Sequence, residues 1–165
     1  MGAYRKRMGI AGIDAGGIRL RRGEAHDLPF MYRLERAYVE DLERDQLQGW
    51  QNSMEHHLRQ WVDDLPRTSI AESGSDKAGY IFWEARHGRA VVASVNVEPG
   101  YRRKGIATIL LERFEDEASK AGFQIAEVGF VRHNPARKLY GRLGYRMVSA
   151  EGRYDIMTKH MQTMP

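Results

Sequence analysis

No cysteine occurs anywhere in the chain. That excludes disulfide cross-links and thiol nucleophiles, and it suits a reducing, cytoplasmic setting. There is no run of about 18 apolar residues, so no membrane span is expected. The basic N-terminus has no apolar segment of the kind a secretory signal needs. Repeats and low-complexity tracts are missing too, as is the G-x-S-x-G turn of serine hydrolases. Two phosphate-binding signatures are excluded by spacing. Lys104 precedes Gly105 where a Walker loop needs Gly-Lys, and Gly100 and Gly105 do not fit G-x-G-x-x-G. The net charge of +4 and pI near 9.4 suit anionic partners. The charge is dispersed, however, and no helix-turn-helix or interleaved aromatic-basic pattern occurs, so nucleic acid is not an expected partner. Adjacent His56 and His57 diverge on a helix, and no metal site is expected.

What remains is a chain of 165 residues, 42% hydrophobic and 29% charged, enough for one soluble domain with a single core. The domain is expected to span 18–165, behind a flexible, glycine-rich basic tail at 1–17. A short strand at 18–21 comes first. Helix one, 27–42, buries Phe30, Met31, Leu34 and Tyr38. Helix two follows the stripe Leu47, Trp50, Met54, Leu58, Trp61 and Leu65. His57, at the edge of that stripe, reads as a core histidine. Arg36, Glu40 and Glu43 read as a solvated face, with Arg36 and Glu40 paired across one turn. Further strands are expected at 68–72, 80–85, 90–97, 124–131, 145–149 and 154–159. His87-Gly88 closes the hairpin between the third and fourth. The result is an α+β or mixed α/β domain, with a mostly antiparallel sheet of about six to seven strands and about four helices.

The most informative stretch runs from 95 to 122. A buried strand stops at Pro99, a basic glycine turn follows, and then a helix with Leu110, Leu111, Phe114 and Ala118 on one face. Gly122 is its left-handed stop. Arg102, Arg103, Lys104 and Gly105 stand where the helix's unpaired N–H groups emerge, which is an anion site in the making. A second stretch, 133–146, reads HNPARKLYGRLGYR. Asn134 can cap a short helix, Pro135 suits its first turn, and Gly144 suits its exit. Ala136, Leu139, Tyr140 and Leu143 share one face, so Tyr140 points inward.

Together these segments resemble the GNAT family of N-acetyltransferases. Arg102-Arg103-Lys104-Gly105-Ile106-Ala107 is similar to the family's pyrophosphate loop, Gln/Arg-x-x-Gly-x-Gly/Ala, and 133–146 to its later tyrosine motif. The family's cofactor-contacting asparagine usually lies one place earlier, where this chain has His133. The resemblance implies acetyl transfer from acetyl-CoA to a primary amine by direct attack in a ternary complex, with no metal. It implies that the phosphates sit on the N–H groups of Arg103, Lys104, Gly105, Ile106, Ala107 and Thr108, with Arg102 also among the cofactor-binding residues. It implies that the pantetheine arm pairs along Val95, Asn96 and Val97, with Asn134 and Tyr140 nearby. One sheet edge cannot pair with both a ligand and the next strand, so that strand must diverge, and Gly129 is a candidate for the bend.

Tyr140 is the candidate for stabilising the leaving thiolate. A phenol's reference pKa of ~10 against a thiol's ~8.5 makes full proton transfer uphill by only about 2 kcal/mol. The base is open, with Glu84, Glu127, His133 and a relayed water as alternatives. Tyr38 and Asp41 are candidates for holding the acceptor, either a small-molecule amine or a protein or peptide amine. Two alternatives stay open: an acetyl-CoA-binding sensor that does not turn over, and association as a homodimer.

Overall fold

The computed structural model describes residues 16–162; the rest of the expected tail lies outside the described residues. Seven strands form one sheet in the order β1-β2-β3-β4-β5-β7-β6. In chain order they are β1 Ile18–Arg22, β2 Thr68–Ser73, β3 Asp76–Arg86, β4 Arg89–Val97, β5 Ile125–Val131, β6 Arg146–Glu151 and β7 Tyr154–His160. The helices are α1 Leu28–Leu42, α2 Leu47–Asn52, α3 Met54–Asp63, α4 Ile106–Lys120 and α5 Ala136–Arg142. Neighbouring strands are antiparallel except β4 and β5, which run parallel. The mixed, mostly antiparallel architecture is the expected one.

The two faces of the sheet bury different clusters. Along β3, Ile81 and Trp83 join Leu110, Leu111 and Phe114 of α4. Tyr80 and Phe82, which alternate with them in sequence, join Met31 and Leu34 of α1 and Trp61 of α3. Alternation along a strand sends these pairs to opposite faces. The stripe of α4 is buried as its spacing predicted, each large side chain contributing about 1.5–3 kcal/mol. His87 and Gly88, with φ of 50° and 75°, make the two-residue hairpin that joins β3 to β4.

The expected second helix is two helices, which raises the helix count to five. The chain departs from helical geometry at Ser53, with φ −98° and ψ 15°. The buried stripe then runs through Trp50, Met54, His57 and Trp61, while Leu58 is 38% exposed. His57 lies stacked between Trp50 and Trp61, at 5.8 Å and 6.4 Å between ring centroids. Burial, with His56 beside it, lowers its pKa, as befits a core histidine held neutral.

Close approach matters at Gly79, where β3 passes β4 beside Val97. A Cβ there would lie 2.7 Å from the Asn96 backbone carbonyl oxygen, so a side chain must push the strands apart. Gly79→Ala is expected to destabilise the fold by about 1–3 kcal/mol, read as a melting temperature lower by several degrees.

Candidate active site

The site forms where β4 leaves β5. Only Ala90, Val91 and Val92 pair with β5, opposite Ala126, Glu127 and Val128. On the other side of β4, Phe82 faces Ser94 and Trp83 faces Val92, so Ala93 is an extra residue in a β-bulge. Past the bulge β4 keeps its bonds to β3 but has none to β5, and its outer edge is free. The divergence expected from the sequence is present. Pairing stops one residue before Gly129, whose φ is not left-handed; its contribution is the missing side chain, since a Cβ would meet Ile156 Cδ1 at 3.1 Å.

Two cavities open at this split. One, of about 320 Å³, lies between β4, the C-terminal end of α1 and the helices α4 and α5; Val95, Val97, Arg102, Ala107 and Leu139 line it. The other, of about 250 Å³, lies toward α1 and is lined by Glu35, Glu43, Ser94, Phe130 and Tyr154. Tyr38, Val95, Asn134 and Tyr140 line both. Tyr140 therefore stands at the junction. Its ring packs 5.2 Å from Phe130 and 6.0 Å from Tyr145, centroid to centroid. Burial pushes its phenol up to about 12. No intramolecular hydrogen bond takes up its hydroxyl among the described residues, and it is not sealed in the protein interior without a partner.

The basic turn has the geometry of an anion nest. Arg103 and Gly105 are both left-handed, with φ of 62° and 77°. The first bond of α4 runs from Ile109 N–H to the Gly105 carbonyl at 3.1 Å. The N–H groups of Ile106, Ala107 and Thr108 precede it and have no carbonyl upstream to meet. Arg103, Lys104 and Gly105 are exposed, whereas the Ile106 side chain is core, so only its backbone can serve a ligand. Arg102 is exposed as well and donates from Nε to the Val97 carbonyl at 3.4 Å.

The other expected residues are dispersed. Asn134 caps α5, its Oδ1 accepting the Ala136 N–H at 2.9 Å, and it also reaches both cavities. Asn96 lines the larger cavity, and its side-chain amide turns toward α1. Tyr38 stands between the cavities, and burial together with Glu43 and Glu35 raises its pKa. Asp41 is exposed at the mouth of the larger cavity. Glu84 and Glu127 lie in a third cavity of about 300 Å³, with Glu127 paired to Arg89 at 2.7 Å. His133 Nε2 meets the Leu42 carbonyl at 3.0 Å and lines neither cavity around Tyr140.

Two acids enter the smaller cavity that the sequence did not single out for it. Glu43, read as solvated, is 9% exposed and accepts the hydrogen bond of the Tyr154 hydroxyl. Arg36 and Glu40 do pair on the outer face, at 2.8 Å. Glu35 points inward from α1 to Tyr80 and Ser94. A signal for it existed: it falls four residues after Met31 and three before Tyr38, on the buried stripe. Tyr154 is pushed up to about 12 by burial and by Glu43. Among the described residues, no group of three or more His, Asp or Glu side chains is arranged to hold a metal ion, and no helix is long and apolar enough to cross a membrane.

An open strand edge, a basic turn at a helix N-terminus and a buried tyrosine thus meet where the sheet splits. The family model of the acetyltransferase (GNAT) family matches residues 32–145, and the chain belongs to that family. A search of curated protein sequences gives no match. Among solved structures, the chain is similar to the PaiA N-acetyltransferase of Thermoplasma acidophilum in complex with coenzyme A, at 19% identity and TM-score 0.74, over 87% of this chain and 98% of that one. It is similar to the ribosomal-protein-S18-alanine N-acetyltransferase of Escherichia coli, at 19% identity and TM-score 0.64, over 90% and 96%. It also resembles N-acetylglutamate synthase of Neisseria gonorrhoeae complexed with coenzyme A and N-acetyl-glutamate, at 16% identity and TM-score 0.68, over 88% of this chain and 35% of that one. At these identities the likeness concerns the fold.

Proposed function

We propose that the protein transfers the acetyl group of acetyl-CoA to a primary amine by direct attack. The observation that carries this reading is the position of Tyr140, at the junction of the larger cavity, which Arg102 lines, and a smaller acidic one. The larger cavity opens beside Arg102 and the free edge of β4, and it suits a phosphorylated, extended thioester. The backbone of Val95, and of Val97 apart from the carbonyl that Arg102 holds, offers the hydrogen bonds of a missing neighbouring strand, and the Gly105 turn offers donors for phosphate oxygens. The smaller cavity is lined by two glutamates and by no lysine or arginine, and it suits a cationic amine. A thioester lying along β4 would bring its carbonyl to the meeting point of the two.

The residues divide the work by charge. An ammonium is drawn to the Glu35 and Glu43 side and must lose a proton before its nitrogen can attack. Negative charge then develops on sulfur as the C–S bond breaks. The Tyr140 hydroxyl, free of other hydrogen bonds, is placed to donate to that sulfur. Burial lifts its pKa further from that of an ordinary thiol, so it acts on the sulfur by donating a hydrogen bond rather than by full proton transfer.

The test is thiol release from acetyl-CoA with polyamines, aminoglycosides, amino acids and peptides offered in turn. Release above the acceptor-free rate, greatest with a cationic amine, is the expected result. Calorimetric binding of acetyl-CoA with no release for any amine would instead favour the non-catalytic sensor.

A further inference from the structure

The two carboxylate oxygens of Glu35 have unlike surroundings. Oε2 accepts hydrogen bonds from the Tyr80 hydroxyl at 2.6 Å, the Ser94 hydroxyl at 2.6 Å and Asn96 Nδ2 at 3.2 Å. Asn96 Nδ2 also donates to the Tyr80 oxygen at 2.8 Å and to the Ser94 oxygen at 3.2 Å. The Tyr80 and Ser94 oxygens also lie 3.0 Å apart, and the two N–H protons of Asn96 serve the three oxygens around them, so the whole cluster converges on Oε2. Oε1 has no hydrogen-bond partner among the described residues, yet it is not among the side-chain atoms sealed from solvent without one. Glu35 lines the smaller cavity, so Oε1 opens into it. One oxygen is fixed and the other is free, on the acceptor side of Tyr140.

We propose that Glu35 accepts the proton of the acceptor ammonium through Oε1, held in place by Tyr80, Ser94 and Asn96. The proposal rests on the acetyl-transfer reading and assigns its base to α1. In the step, one ammonium proton passes to Glu35 and the freed nitrogen lone pair forms the C–N bond. The C–S bond breaks with its electron pair leaving on sulfur. The nitrogen sheds a second proton, balancing the one that sulfur gains. Ammonium and thioester thus become acetamide, thiol and one proton, which Glu35 passes to water.

The electrostatics suit the task. Burial pushes the Glu35 carboxyl above the ordinary carboxylate range, the Ser94 and Tyr80 hydrogen bonds pull against it, and Glu43 adds to the rise. The other titratable groups facing this cavity are Tyr38, Tyr140 and Tyr154. None is a cation. A base of raised pKa takes a proton more readily near neutral pH than an exposed glutamate would.

The experiment takes an amine found in the thiol-release screen and measures kcat/KM against pH for the parent, Glu35→Gln and Ser94→Ala. The parent should show an acidic limb set by Glu35. Glu35→Gln should lose roughly 10²- to 10⁴-fold at neutral pH, narrowing as pH rises and the amine deprotonates in water, with unchanged heat of acetyl-CoA binding. Ser94→Ala removes a bond that favours the charged carboxylate, so the acidic limb should move to higher pH. In the free protein, the ¹³C carboxyl resonance of Glu35 should titrate above the ordinary range and move up again in Ser94→Ala. That readout stands even where Glu35→Gln does not fold. A folded Glu35→Gln with the parent profile, or a limb unmoved in Ser94→Ala, would overturn the assignment while leaving acetyl transfer intact. A parent that binds acetyl-CoA but releases no thiol would overturn the reaction, and the role of Glu35 with it.

Discussion

A protein carrying Gly105→Glu is expected to give no calorimetric signal with acetyl-CoA under conditions where the parent does. Gly105 has φ 77°, and nothing lies within 4 Å of where its Cβ would be. A side chain there clashes with no neighbour, so the fold tolerates it at the strain of a left-handed non-glycine residue, about 1–2 kcal/mol. Arg103, two residues earlier, already bears that conformation. A carboxylate at a helix N-terminus even favours the helix. The damage is done to the ligand. The carboxylate takes up the N–H groups of Ile106, Ala107 and Thr108 and repels phosphate from them. Gly105→Ala separates the two effects, since it carries the strain without the charge. It should weaken binding by no more than about 30-fold, the equivalent of about 1–2 kcal/mol of strain. Equal affinity of parent and Gly105→Glu would remove the phosphates from this turn.

Local pattern accounts for what was legible beforehand. The α4 stripe, the left-handed stops at Gly122 and Gly144 and the hairpin at His87 and Gly88 each depend on residues within a few positions of one another. The need for β4 and β5 to part was likewise readable, because a strand edge has one row of donors and acceptors. The acidic half of the site had no such local basis. Glu35 meets Tyr80 and Ser94, 45 and 59 residues away, and Glu43 meets Tyr154 across 111. The bulge at Ala93 sets which side chains of β4 turn toward α1, and nothing in Val91-Val92-Ala93 signals an extra residue. The base was left open because the two carboxylates at the smaller cavity reach it from α1 and the turn after it, far in sequence from either motif. The break at Ser53 escaped for a related reason: the apolar spacing of α2 and α3 continues across it while the backbone does not.

Tyr140→Phe is expected to lower turnover by roughly 10- to 1000-fold while leaving the fold and acetyl-CoA binding nearly unchanged. The ring supplies the packing: it sits against Phe130 and Tyr145, and the residue is 5% exposed. Phenylalanine keeps those contacts. The hydroxyl has no protein partner among the described residues, so removing it leaves no buried donor or acceptor unsatisfied. That distinguishes it from the Tyr145 hydroxyl, which donates to Glu115 at 2.9 Å, and from the Tyr80 hydroxyl, whose loss would free Glu35. The melting temperature of Tyr140→Phe should stay within about a degree of the parent, since an unbonded hydroxyl contributes little to stability. The deficit should also be flat in pH across the neutral range. A phenol pushed up to about 12 stays protonated throughout that range, so its hydrogen bond to sulfur neither appears nor fades with pH. Loss of Glu35 should instead give a deficit that shrinks as pH rises, so the two variants separate the acid side of the reaction from the base side. A Tyr140→Phe protein that binds acetyl-CoA and turns over at the parent rate would make the tyrosine a packing residue, and the thiolate would have to be met by water.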